Sequence, residues 1–413
     1  MSRDRTHQAA PPHRHSDPLR IRASDIIPGG SSTGSKRPYA LYGSHEFDAN
    51  LPTHYLRAEG CTLVADDARQ YIDCSMALGA VAIGYADPEV THAVQQAAAA
   101  GTVTGLPHRL EVDVAERLAE VVPSGEQVRF LRTGAEATAA AIRLARVATS
   151  RIHVLACGYF GWLDWSNDAL GVPEDVRRHV TTIGFNDIAS LEDAVTRHGS
   201  DIAAVIIEPL VHGIASREWL LAARDACDRI GAVLVFDEIK TAFRIRTGGV
   251  QELHDVLPDL TTVGKAFANG YPLAAVVGRA AIMQEAVRTW ISSTAAAEST
   301  GLAAARAVLE WHDRTDVPGR ILSAGLEMQA AISEVLREYP QVGVRIAGPP
   351  QMFRLVADRE EQLDAFVAEG AMAGVLFKRG AYQFPSLAHD TEIIDRIGQL
   401  TRATCLSIME HPR

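Results

Sequence analysis

The chain is short of lysine, of paired cysteines and of long apolar runs, and each shortage narrows what it can be. Only four of its 413 residues are lysine (Lys36, Lys240, Lys265 and Lys378), and 40 Lys+Arg against 51 Asp+Glu leave a formal net charge of -11. A general nucleic-acid binder needs a basic surface to neutralise phosphates, so that partner class drops out. The five cysteines, Cys61, Cys74, Cys157, Cys227 and Cys405, are odd in number and form no CxxC pair. They indicate neither a disulfide framework nor a zinc knuckle, no metal is expected, and a reducing cytoplasm fits them. No basic-then-apolar leader opens the sequence, and no apolar run approaches the roughly 18 residues of a membrane span. The expectation is a soluble, cytoplasmic protein with no membrane partner.

What is present is enough apolar material for a large core: 47% of residues are hydrophobic and 22% charged. Residues 1–20, MSRDRTHQAAPPHRHSDPLR, carry too little of it to repay ordering, and a flexible tail is expected there. Its His7, His13 and His15 are set aside as metal ligands on the same ground. Between about 110 and 280, short β-rich runs alternate with helical apolar spacing. The expected strands are VRFLRT (128–133), HVLAC (153–157), AAVIIEP (203–209), AVLVFDE (232–238) and AAVVGR (274–279). Runs so continuously apolar suit strands covered on both faces, so an α/β fold with a mostly parallel sheet wrapped by helices is predicted. Ligands then belong at the carboxyl ends of those strands. Residues 305–413 read as helix, short strand and helix, broken at AGPP (347–350), which points to a smaller C-terminal domain.

Three features fall at ends of predicted strands. VRFLRT runs into Gly134, Ala135 and Glu136, which open an alanine-rich helix; a turn of this kind is either an anion site at a helix N-terminus or an ordinary βα connection. AVLVFDE ends in Asp237 and Glu238, acidic groups at the mouth of an apolar strand, which face either solvent or a protonated nitrogen. Lys265 stands between Gly264 and Gly270, just before a strand of small apolar residues. A lysine there is either a snorkelling surface residue or a desolvated amine whose lowered pKa favours imine chemistry.

The order and spacing of these features resemble the class III, fold type I pyridoxal 5'-phosphate-dependent aminotransferases, closest to the glutamate-1-semialdehyde 2,1-aminomutase branch. The resemblance spans about residues 25–395. It rests on IPGG (27–30), YID (71–73), TGAEA (133–137), YFGWLDW (159–165), IIEP (206–209), FDEIKTAFR (236–244), GKAFANGYPL (264–273) and SLAHD (386–390). It implies a large cofactor-binding domain over 76–305, a small α+β domain over 306–413 and an N-terminal segment, 21–75, that joins the small domain. It also implies that Lys265 holds pyridoxal 5'-phosphate as a Schiff base while Asp237 pairs with the pyridine nitrogen. By the same resemblance Tyr159 stacks on one face of the ring, Ile239 packs beneath the other, Gly134 and Ala135 bind the phosphate through backbone N–H groups, and Glu208 sits at the ring's edge. Thr294 matches the threonine that reaches the neighbouring subunit's cofactor, so a homodimer is implied. GSKRPY places Lys36 and Arg37 where the aminomutase holds an arginine for the substrate carboxylate.

The implied activity is a ping-pong transfer of an amino group from an amino-acid donor to a carbonyl acceptor, with aminomutase activity as the alternative. Several residues depart from the aminomutase pattern: Ala135 replaces a hydroxyl in the phosphate turn, Phe160 the histidine after the stacking tyrosine, and Ile239 with Lys240 the pair after Asp-Glu. An acceptor other than glutamate semialdehyde is therefore expected, a keto sugar or another secondary-metabolite carbonyl. A P-loop nucleotide hydrolase, invited by GGSSTGSK (29–36), fails on spacing because Ser35 separates the last glycine from Lys36. His389 and Cys157 read as structural rather than catalytic.

Overall fold

The computed structural model describes residues 18–410. Its centre is a seven-stranded sheet built from β1 (Gln127–Leu131), β2 (His153–Cys157), β3 (Val180–Thr182), β4 (Ile202–Ile207), β5 (Val233–Asp237), β6 (Leu260–Val263) and β7 (Ala274–Gly278). The order across the sheet is β1-β7-β6-β5-β4-β2-β3. Strands β3, β2, β4, β5 and β6 run parallel, and β7 runs antiparallel to both β6 and β1. Every residue of β2, β4, β5, β6 and β7 is buried. That is the reason such runs read as unbroken apolar stretches: helices cover both faces and leave no polar side to alternate with.

HVLAC appears with its predicted bounds, and the other predicted strands appear with ends moved by one or two residues. VRFLRT stops at Leu131 because Thr133 leaves the sheet to cap the helix Gly134–Thr149: its Oγ1 accepts the Glu136 N–H while Glu136 returns a bond to the Thr133 N–H at 2.9 Å. Two strands, Val180–Thr182 and Leu260–Val263, were not among those expected.

A second sheet joins the two ends of the chain. Strands Tyr55–Glu59, Thr62–Ala65 and Gln70–Asp73 form antiparallel pairs, and Gln70–Asp73 pairs in parallel with Val375–Leu376. A third holds Val344–Ala347, Phe353–Ala357 and Tyr382–Gln383, packed with the helices Val317–Glu338, Glu360–Ala373 and Thr391–Glu410. The expected tail lies outside the described residues except for its last three. There a helix begins, Leu19–Ile26, tied down by Arg20, which donates to the carbonyls of Asp48 at 2.7 Å and Leu51 at 3.0 Å. No helix among the described residues is long and apolar enough to cross a membrane.

Candidate active site

Because β4, β5 and β6 are parallel neighbours, their carboxyl ends lie side by side, and each delivers one charged side chain to the same rim. Glu208 follows β4, Asp237 ends β5, and Lys265 follows β6 by two residues.

Asp237 is 3% exposed. Its Oδ1 accepts the Ile239 N–H at 3.1 Å and the Thr262 hydroxyl at 2.9 Å, and among the described residues no donor reaches Oδ2. Burial, reinforced by the negative charge of Glu208, pushes the carboxyl up to about 7. Lys265 opens a short turn, Lys265–Ala268, with φ at +49°, a left-handed conformation that costs a non-glycine residue energy and persists where surroundings enforce it. The turn ends at Asn269. Its Oδ1 accepts the N–H groups of Ala82 at 3.0 Å and Ile83 at 3.1 Å, and its Nδ2 donates to the Gly84 carbonyl at 2.9 Å. Burial first, and the neighbouring Lys240 charge second, bring the Lys265 amine down to about 8, against the pull of Glu208 and Asp237.

Both oxygens of Glu208 are taken. Oε1 forms an ion pair with Lys240, and Oε2 accepts the Tyr159 N–H at 3.1 Å. Gly158 is required for this approach: at φ +132°, a Cβ there would stand 2.4 Å from the Glu208 Cβ. At Gly134 a Cβ would lie 2.6 Å from Ile239 Cδ1, so the end of that side chain would have to shift. At the start of a 16-residue helix, the N–H groups of Gly134 and Ala135 have no acceptor among the described residues. The structure thus brings Lys265, Asp237, Glu208, Ile239 and the Gly134–Ala135 turn together.

Tyr159 adjoins this group through its N–H on Glu208, on the loop after β2, and is 71% exposed. The remaining expected residues lie elsewhere. Thr294 is exposed and lines a cavity of about 360 Å³ with the segment 101–108. Lys36 and Arg37 are exposed; Arg37 packs along Gly29, and Lys36 lines a separate cavity of about 250 Å³ with Tyr42 and Lys378. Neither touches Lys265, Asp237 or Glu208. His389 is buried, its Nδ1 2.9 Å from the Ser386 hydroxyl, and burial lowers it to about 4. Cys157 is buried and its thiol is pushed up to about 12, first by burial and then by Glu208. Sequence reasoning missed Thr262, and it noted Lys240 only as an unusual residue.

The family model for class III aminotransferases matches residues 44–161 and 171–399. The chain belongs to that family. It is 39% identical over 283 residues to the glutamate-1-semialdehyde 2,1-aminomutase of Rhodopirellula baltica, a match covering 64% of this chain and 63% of that relative. The chain thus spans less than two thirds of the length of that relative. Against the enzyme of the same name from Methanothermobacter thermautotrophicus it is 32% identical over 370 residues, 84% of each chain. Among solved structures it resembles the FumI protein of a Sphingopyxis species in its PLP internal aldimine form, at TM-score 0.89 and 27% identity over 95% of this chain and 96% of that one. It is also similar to an omega-transaminase from Sphaerobacter thermophilus, at TM-score 0.82 and 26% identity over 94% of this chain and 96% of that one.

Proposed function

We propose that the chain is a pyridoxal 5'-phosphate-dependent aminotransferase that moves an amino group from an amino-acid donor to a carbonyl acceptor. The observation that carries this reading is the pairing on adjacent strand ends of a desolvated lysine with a buried carboxylate that keeps one oxygen free. The residues fit the cofactor. Asp237 Oδ2 lacks a donor and suits a protonated ring nitrogen; the free N–H groups of Gly134 and Ala135 suit a phosphate; the Lys265 amine suits an aldehyde. When bound, the cofactor supplies a ring that withdraws electrons from the substrate carbon bearing the amine.

The chain's own residues do the rest. Asp237 would hold the ring-nitrogen proton, and a positive partner there opposes the rise that burial and Glu208 give its pKa. Lys265 Nζ would take the proton from the amine-bearing carbon and return it in the second half of the cycle; in the cofactor-free chain burial brings this amine down to about 8, which leaves a neutral fraction able to meet an aldehyde at neutral pH. Ile239 would support one face of the bound ring and Tyr159 would cover the other, with Glu208 at its edge.

The assembly in this reading is a homodimer, with Thr294 of a second copy reaching the phosphate. Large apolar side chains stand exposed near its loop, Trp290 at 82% and Leu106 at 79%, and a second copy would cover them. Residues 21–75 and 306–413 form the small domain against a large domain of 76–305, in keeping with the shared sheet at 70–73 and 375–376. A cytoplasmic location is in keeping with five free cysteines. The acceptor is a carbonyl compound other than glutamate semialdehyde, a reading supported by the departures at Phe160, Ile239 and Lys240.

Aminomutase activity is the second reading, favoured by the 39% identical relative. Purified enzyme is given glutamate or alanine with no keto acid. Stoichiometric conversion of the cofactor to its amino form, absent in Lys265→Ala, is the expected result. Catalytic isomerisation of glutamate 1-semialdehyde, with no conversion by any amino acid, would replace transfer by mutation of position.

A further inference from the structure

Arg354 stands on the strand Phe353–Ala357, where Phe353 and Leu355 point into the small-domain core. Alternation along the strand turns Arg354 to the opposite face, and its register partner there is Tyr382. The guanidinium carbon lies 5.9 Å from the centre of the Tyr382 ring. Its Nε is buried without a hydrogen-bond partner, and among the described residues no carboxylate pairs with it. Of the other partly buried arginines, Arg132, Arg224 and Arg379 pair with Glu298, Asp259 and Asp364, while Arg146 and Arg151 donate to backbone carbonyls.

The same ring carries a second cation. Lys240 Nζ sits 4.8 Å from its centre, and the Tyr382 hydroxyl donates to the Val211 carbonyl, on the loop that follows Glu208. Lys240 is neutralised by Glu208, whose other oxygen is occupied by the Tyr159 N–H, so neither oxygen of Glu208 is left for Arg354. Lys240 in turn is close enough to influence both Asp237 and Lys265. Arg354 therefore shares the Tyr382 ring with Lys240, the partner of Glu208, and stands on the small-domain side with a planar fork of donors and no carboxylate partner among the described residues. Such a fork matches a carboxylate or phosphate in two parallel bonds, and a buried donor without an acceptor is costly until one arrives.

We propose that Arg354 is a specificity-determining residue that binds an oxyanion, carboxylate or phosphate, carried by the substrate away from its amine-bearing carbon. The assignment rests on the transaminase reading above and deepens it by naming the substrate class: an acidic amino compound rather than a neutral one.

The test is the half-reaction of the holoenzyme, followed as conversion of the cofactor to its amino form, with glutamate, O-phosphoserine and alanine as donors. Wild type is expected to prefer an acidic donor over alanine in kcat/KM. Arg354→Gln is expected to cut that preference by about 10- to 100-fold, the scale of one charge-assisted bidentate contact, with the change lying mainly in KM. Arg354→Lys, which keeps the charge and loses the fork, is expected to recover part of it, an outcome that loss of packing alone would not produce. A larger loss with O-phosphoserine than with glutamate identifies phosphate as the ligand, and the reverse identifies carboxylate. A preference unchanged within twofold in Arg354→Gln, or a wild type that favours alanine, would overturn the assignment. Alanine turning over in that case leaves the transaminase reading standing; no conversion by any amine sinks both.

Discussion

Replacing Asp237 by asparagine tests the electrostatics of the site without needing a substrate. Asparagine keeps an Oδ1 that can accept from Ile239 and Thr262, so the geometry survives while the charge is removed. In the cofactor-free chain the carboxyl is raised from 3.8 to about 7, so the folded state binds this proton more tightly than the unfolded state. A group of that kind costs stability as pH rises from the unfolded pKa to the folded one, and the cost levels off above it. At 1.36 kcal/mol per pKa unit, the three-unit shift amounts to about 4 kcal/mol at pH 8 and less than half of that at pH 5. Cofactor-free Asp237→Asn should therefore melt higher than cofactor-free wild type, with a gap that widens as pH rises from 5 to 8. Pyridoxal phosphate should shrink or reverse the gap, because only the carboxylate can pair with a protonated ring nitrogen. Melting temperatures by calorimetry or dye binding, at matched ionic strength, read both effects. A gap that is constant with pH would show that Asp237 is not held against its own ionisation, and the argument for its free Oδ2 would fall with it.

Capture of pyridoxal phosphate by the free chain should accelerate with pH and level off above about 8, because the neutral Lys265 amine is the attacking form; stopped-flow absorbance reads it, and a rate still climbing past pH 9.5 would mean an ordinary lysine. Gly134→Ala forces Ile239 away from a Cβ at 2.6 Å, and cofactor affinity by titration should fall by about 1–2 kcal/mol, or 5- to 30-fold. Arg244 is buried, held down to about 9 by desolvation, and donates to the carbonyls of Pro385 at 2.7 Å, Val81 at 3.3 Å, and Gly79 and Gln351 at 3.4 Å. Arg244→Met leaves those carbonyls unpaired between the chain's distant segments, and a loss of about 3 kcal/mol or more is expected, seen as a melting point lower by several degrees.

How much of this was legible in the sequence depended on whether a residue's chemistry was local. Lys265 stood out because lysine is scarce and this one has an apolar, glycine-flanked setting, and Asp237 because it closes an apolar run; both cues survive in one dimension. Lys36 and Arg37 were placed by resemblance to a family motif, and the fold leaves them exposed, with the N-terminal turn at 34–36 packed beside Lys378, whose Nζ donates to the carbonyls of Ser35 and Ala40. The Glu208–Lys240–Tyr382–Arg354 chain of contacts had no sequence signal, since its members come from four separate segments that only the sheet order and the small-domain register bring together.

The missed strand β6 carries the most instructive lesson. LTTV reads as half polar, yet Thr261 and Thr262 are fully buried. Their hydroxyls are satisfied inside the fold, Thr261 2.8 Å from the Ser124 hydroxyl and Thr262 as donor to Asp237. A buried polar group is tolerated when it is hydrogen-bonded, so hydropathy alone discounts such a strand most strongly where it is doing chemical work. Thr262 is the residue that fixes Oδ1 of Asp237 and thereby leaves Oδ2 as the free atom. The polarity that concealed β6 from a reading of apolar runs is the same polarity that orients the carboxylate on which the proposed activity depends.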